Sequence, residues 1–278
     1  FALWREAAFF DVTSEPRALM HLWWLGVEVQ FYLVWPLMMI LMLRYRNWAW
    51  HLFAMLSLGS LALFVLLVDS PTSAHMMLPV TRWWELMLGA LLAGMMRSHG
   101  GGPAAWLQGH LGKHSAAAAL VPDALASCGL SLLLMATLMF DGSGSTPAWW
   151  SILPALGTFA LLSAGSQASI NRLVLSRPIL RFYGSISYPL YLWHWPMLTL
   201  PTVMGMPLTH ELRIIILTAS VVLAALTHEM AEKPYQMGNH RSSVPKKLIA
   251  IWMTVAALGL LVQNTGGLLS TFPESMRS

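Results

Sequence analysis

The sequence predicts an all-α fold: a polytopic integral membrane protein of about eight transmembrane helices. Three observations carry this expectation: the composition, a series of long apolar stretches, and the alternation of basic residues between them. Of 278 residues, 56% are hydrophobic and 10% are charged, and the mean hydropathy is +0.60. A water-soluble domain carries roughly 25% charged residues, so this chain cannot cover a wetted surface with charge. The 14 tryptophans fit membrane interfaces, where an apolar ring and a polar N–H both find partners.

A helix needs about 20 mostly apolar residues to cross the hydrocarbon core. The stretches are Leu25–Leu43, Trp48–Val68, Trp83–Met96, Ala117–Phe140, Trp149–Ser166, Phe182–Met204, Leu212–Ala231 and Leu248–Val262. The third and eighth are short by these bounds, and the third is expected to begin near Leu78. Alternate loops hold Arg44 and Arg46; Arg97 and Lys113; Arg172, Arg177 and Arg181; and Lys233, Arg241, Lys246 and Lys247, which is 11 of the 16 Lys and Arg. The other loops and the two ends hold Arg5, Arg17, Arg82, Arg213 and Arg277. Cytoplasmic loops carry the excess of Lys and Arg, so both ends are expected to face outward.

The organisation follows. Residues 1–263 form one membrane domain, and 264–278 form a polar extracytoplasmic tail. The loop Arg97–Ala116, with Gly100-Gly101-Gly102-Pro103, is expected to be a flexible cytoplasmic connector. The chain starts at Phe1, with no signal-peptide pattern, and reads as a piece of a longer protein. The net charge of +4 is scattered, with no dense basic patch, so nucleic acid is not an expected partner. A single cysteine, Cys128, excludes an intrachain disulfide and a cysteine-cluster metal site.

Ionisable residues inside spans are costly and need a reason. Three clusters qualify. In the first, His21 and Glu28 are seven apart and share a face of a continuous helix. A histidine beside a carboxylate is a minimal unit for taking a proton from a hydroxyl; the plainer alternative is an interfacial histidine and a glutamate bonded to another helix. In the second, Arg82 and Glu85 are i,i+3 and can pair at the outer end of the third span; taken alone, this cluster is better accounted for by a local ion pair within an aromatic belt. The third runs from Ser185 to Pro196. Ser187, Tyr191 and His194 fall near one face, and His194 lies about 20 Å in from Arg181. Together with Tyr188, Trp195, Pro189 and Pro196, they suggest a lined polar cavity, because helix-breaking prolines are tolerated where the backbone borders one. One outer-leaflet cavity bordered by the first, third and sixth spans would serve all three clusters. His228-Glu229 lacks the second histidine of a zinc-protease helix, His110 and His114 lack a third ligand, and no phosphate loop or dinucleotide fingerprint occurs. No metal site is expected.

These same residues carry a family resemblance. The run from His21 through Glu28 and Gln30-Phe31-Tyr32 to Trp35-Pro36 resembles the signature "HxWSLxVEEQFYLxWP" of the acyltransferase-3 family of membrane O-acyltransferases. Arg82-Trp83-Trp84-Glu85 through Gly89-Ala90 resembles its "RxWELLLGALL" segment, Gly184 through Pro196 its "GxISYSLYLWHWP", and Glu232-Lys233-Pro234 its "ExP". Order and spacing agree from about Phe1 to about Tyr235. Val29 stands where the family has a second glutamate, and Trp24 where it has a serine.

The resemblance implies transfer of an acyl group, usually acetyl, from a cytoplasmic donor such as acetyl-coenzyme A. The implied acceptor is a hydroxyl of an envelope glycan or glycolipid, such as lipopolysaccharide O-antigen, exopolysaccharide or peptidoglycan, at a bacterial inner membrane. It also implies helices before Phe1, one bearing a spaced Arg and His, and an SGNH-type domain after a connector like Thr265–Pro273. His21, oriented by Glu28, would be catalytic with it, or, if the helix with the spaced Arg and His supplies the main base, the pair would bind the acceptor; Arg82, Glu85, Ser187, Tyr188, Tyr191, His194 and Trp195 would bind substrate. Two other classes remain open: a transporter or flippase of envelope precursors, for which broken helices are typical, and an inactive scaffold.

Overall fold

The computed structural model describes residues 20–67, 78–99, 102–112, 115–139 and 148–234, with Met253, Thr254 and Ala257 beyond them. Among the described residues every regular element is a helix. A 3-10 turn, Met20–Leu22, leads into α1, Trp23–Arg44. There follow α2, Arg46–Leu67, α3, Pro79–His99, α4, Gly102–Leu111, and α5, Ala116–Leu138. A second 3-10 turn, Ala148–Ser151, opens α6, Ile152–Ala164. Then come α7, Pro178–Val203, and α8, His210–Thr227, which ends in a π-helical turn, His228–Glu232.

Seven of the expected spans coincide with helices, and the third begins at Pro79, as its flank suggested. The eighth, Leu248–Val262, and the tail lie almost wholly outside the described residues. One expectation is corrected. The presumed flexible connector contains α4. Gly102, at φ +71°, turns the chain back after α3, Pro103 sits in the first turn where its missing N–H costs nothing, and the good helix formers Ala104, Ala105, Leu107 and Gln108 follow. Gln108 Nε2 then donates to the Ala118 carbonyl at 3.0 Å, tying α4 to α5.

Among the described residues three helices are long and apolar enough to cross a membrane: Trp24–Met42, Ala116–Leu138 and His210–Glu232. Shorter apolar helices cover His51–Leu67 and Ile152–Ala164. The 21-residue α3 and 26-residue α7 have the length, but they carry the Arg, Glu, His and Tyr residues of two of the clusters.

The packing is that of a protein solvated by lipid. Large apolar side chains point outward, Leu66 at 78% exposure and Leu138 at 82% among them, whereas Ser57, Ser60, Ser163 and Ser220 are buried. Without a hydrophobic drive between helices in lipid, small residues allow the close approach that packing needs. Gly129 and Gly157 meet where α5 crosses α6. A Cβ on Gly129 would lie 2.6 Å from the Gly157 carbonyl oxygen, and one on Gly157 would lie 2.9 Å from that of Gly129. The Ser60 hydroxyl inserts into the α3 ladder: it donates to the Val80 carbonyl at 2.5 Å and accepts from the Trp84 N–H at 3.0 Å. That joins α2 to the start of α3.

The α7–α8 hairpin closes at Gly205, φ +73°. Met206 N donates to the Pro201 carbonyl at 2.8 Å and Gly205 N to that of Thr202 at 3.0 Å, the paired bonds of a Schellman turn. Thr209 then caps α8 by accepting from Leu212 N at 3.2 Å.

Candidate active site

Two polar groupings form at the start of α1, and Trp24 and His21, three residues apart, belong to one each.

The first grouping is aromatic and basic. His21, in the 3-10 turn, lies against α7, with ring centroids 5.2 Å from Tyr191, 5.9 Å from His194 and 6.2 Å from Trp195. Tyr191 and His194 are 5.9 Å apart. The Tyr191 hydroxyl donates to the main-chain carbonyl of His21, locking the entry of α1 to the middle of α7. His194 Nδ1 lies 3.0 Å from the Leu190 carbonyl. A carbonyl only accepts, so Nδ1 carries the proton, and it is Nε2 that offers a lone pair whenever the ring is uncharged. Both His21 ring nitrogens are buried and reach no well-formed hydrogen bond among the described residues. Burial holds the His21 imidazole below the ordinary histidine value, and the nearby His194 charge lowers it further; a weaker backbone interaction at Leu192 opposes them. A neutral imidazole near neutral pH is one able to take a proton.

Glu28 accepts from the Tyr32 hydroxyl at 2.7 Å, and its charge acts electrostatically on Tyr188 and Tyr191. His21 and Glu28 do not pair. The shared face expected for a seven-residue spacing requires a continuous α-helix, and the turn at Met20–Leu22 is 3-10, with a different angular step. What surrounds His21 is α7. On α7 itself, Ser187 is exposed and donates back to the Gly184 carbonyl at 2.8 Å, and Tyr188 is 48% exposed.

The second grouping centres on Arg82, which is 7% exposed. Its Nη1 donates to Glu85 Oε1 at 2.9 Å and to Ser151 Oγ at 3.1 Å. The guanidinium also lies over the Phe64 ring at 4.8 Å and the Trp24 ring at 5.6 Å, within cation–π range. Arg82 and Glu85 line a cavity of 470 Å³ with Trp24, Ser151 and the inner face of α6. The single cavity expected between the first, third and sixth spans is thus replaced. The cavity lies between α3 and α6, while His21 and His194 form a separate cluster. Ser151 and Trp24 gave no advance sign of this role, because nothing local links positions 69 apart. A third pair, His228 Nδ1 with Glu232 Oε2 at 2.8 Å, sits at the end of α8, and Trp193 Nε1 ties α7 to Thr227 Oγ1 at 3.0 Å. Among the described residues no group of His, Cys, Asp and Glu could hold a metal ion.

These residues stand in the order and context of the quoted motifs, and the family profile for an acyltransferase domain matches residues 3–229. The chain belongs to the acyltransferase-3 family. Its relatives include the peptidoglycan O-acetyltransferase OatA of Listeria monocytogenes, 25% identical over 269 residues, covering 90% of this chain and 41% of that protein. The O-acetyltransferase OatA of Staphylococcus aureus is 29% identical over 273 residues, 92% of this chain and 42% of that one. This acyltransferase-3 chain therefore spans less than half the length of either relative. No solved structure matches it. Family members are integral membrane proteins, in keeping with the three apolar helices and lipid-type packing described above.

Proposed function

We propose that this chain is the membrane part of an O-acyltransferase that moves acetyl from acetyl-coenzyme A, supplied by the cytoplasm, to a hydroxyl of an envelope glycan. The observation that carries the reading is the placement of His21 against Tyr191 and His194, which unites two motifs of the acyltransferase-3 family in one half-buried cluster. The acceptor oxygen attacks the thioester carbonyl, the C–S bond breaks, and the hydroxyl proton passes to an imidazole. His21, neutral by burial, is the base of this scheme, and His194 Nε2 stands beside it as a second acceptor. Glu28, sharing the Tyr32 hydroxyl, helps hold the acceptor with Tyr188, Tyr191 and Trp195.

The acceptor class is a glycan or glycolipid. Peptidoglycan is suggested by the name of the Listeria relative; O-antigen and exopolysaccharide share the same hydroxyl chemistry. The setting is the bilayer of a bacterial inner membrane, crossed about eight times, with residues 264–278 an extracytoplasmic tail.

The test uses membranes from cells producing the full chain, with labelled acetyl-coenzyme A and alkali-labile acetate on glycan as the readout. His21→Ala is expected to lower transfer by about 10²–10⁴-fold, the usual worth of a positioned base, and Glu28→Gln is expected to lower it as well. Unchanged transfer in both variants would overturn the assignment.

A further inference from the structure

The cavity between α3 and α6 has the shape and chemistry of an amphiphile site. On α3 its wall steps down one turn at a time through Arg82, Glu85, Leu88 and Leu92; opposite, it runs from Ser151, in the 3-10 turn, along α6 to Leu162. Ten residues of helix span about 15 Å, and only the first turn of that length is charged. Its 470 Å³ lies in the range of small-molecule sites, about 300–1,000 Å³. Gly89, Thr158 and Leu162 are exposed, so the cavity opens sideways between the helices.

At the polar end, the more than nine-tenths buried Arg82 spends one nitrogen on both Glu85 and Ser151. Its Nε is buried with no acceptor among the described residues. A guanidinium presents five N–H donors, so this one retains donating capacity at the mouth of an apolar groove.

We propose that this cavity holds one hydrocarbon chain of a membrane phospholipid, with a phosphate oxygen of its head accepting from Arg82. The chain lies along Leu88, Leu92, Phe159 and Leu162. A water-soluble phosphate would meet the same guanidinium but leave the apolar length bare, so it binds weakly in comparison. The site is separate from the His21 cluster, and the proposal stands whether or not that cluster is catalytic.

The experiment places the full chain in phosphatidylcholine nanodiscs containing phosphatidylglycerol with a diazirine on its acyl chain. After irradiation, labelled residues are mapped by peptide mass spectrometry. Labelling is expected to concentrate at residues 88–92 and 158–162, above that at the exposed Leu33 and Leu138, and to resist excess glycerol phosphate. Gly89→Leu fills the cavity from a position where a Cβ meets nothing within 4 Å. It should cut that labelling about fourfold for each methylene of lipid displaced, leaving Leu138 unchanged. A diacylglycerol bearing the same diazirine chain should label less than the phosphatidylglycerol. Labelling no greater than at Leu138, insensitivity to Gly89→Leu, or displacement by glycerol phosphate would overturn the chain assignment, and equal labelling by diacylglycerol would overturn the phosphate contact.

Discussion

The Tyr191 hydroxyl donates to the backbone carbonyl of His21, 170 positions earlier in the chain. This bond sets where α1 begins relative to α7. Tyr191→Phe removes it while keeping the ring against His21. The variant should lose about 0.5–1.5 kcal/mol of stability, the net worth of one such bond, and acetyl transfer should fall more through kcat than through KM. Thermal unfolding in detergent and steady-state kinetics read the two effects; unchanged values in both would remove the bond from any positioning role.

The His21 imidazole titrates below the ordinary histidine value of 6.5, chiefly through burial and then through His194. A base is active when deprotonated, so the acidic limb of kcat/KM should lie below pH 6.5. Replacing His194 with Asn removes a like charge, raises the His21 value and should shift that limb upward toward 6.5, since burial is retained. A limb that stays in place would detach the pH dependence from this pair.

Arg82 and Glu85 form a mostly buried pair, their side chains 8% and 17% exposed. Removing one partner strands the other, so Arg82→Met should cost about 3–5 kcal/mol. The double change Arg82→Met with Glu85→Leu should recover much of that loss, because neither charge is then left unpaired. A double-mutant cycle on thermal unfolding measures the coupling directly.

Gly129 and Gly157 leave no room for a side chain where α5 meets α6. Gly129→Ala should destabilise by about 1–3 kcal/mol through overpacking. Gly59→Ala, at a helical position where a Cβ meets nothing within 4 Å, should be neutral or stabilising. Melting temperatures of the two variants should move in opposite directions or differ clearly in size.

From the bias of 11 of 16 basic residues to alternate loops we propose that both ends lie outside the cytoplasm. Alkaline phosphatase fused after Ser278 should be active, and a reporter that works only in the cytoplasm should be silent there. The reverse pattern would refute the topology.

Much of this protein was legible in its sequence because the governing cost is local. Each apolar run must satisfy its own backbone as a helix, so α1, α2, α5 and α8 follow from hydropathy alone. Gly100 to Pro103 misled in the same terms: residues that mark linkers also open helices, and Gly102 turns the chain directly into α4. The motifs around His21, Arg82 and His194 likewise stood out because polar groups at membrane depth require a purpose. Only the tertiary structure decided how they combine. It set His21 against Tyr191 rather than Glu28, because the turn before α1 is 3-10 and breaks the seven-residue face. It also gave Arg82 a partner in Ser151 and a cavity wall in α6, because helix packing brings together residues whose separation along the chain leaves no periodic trace.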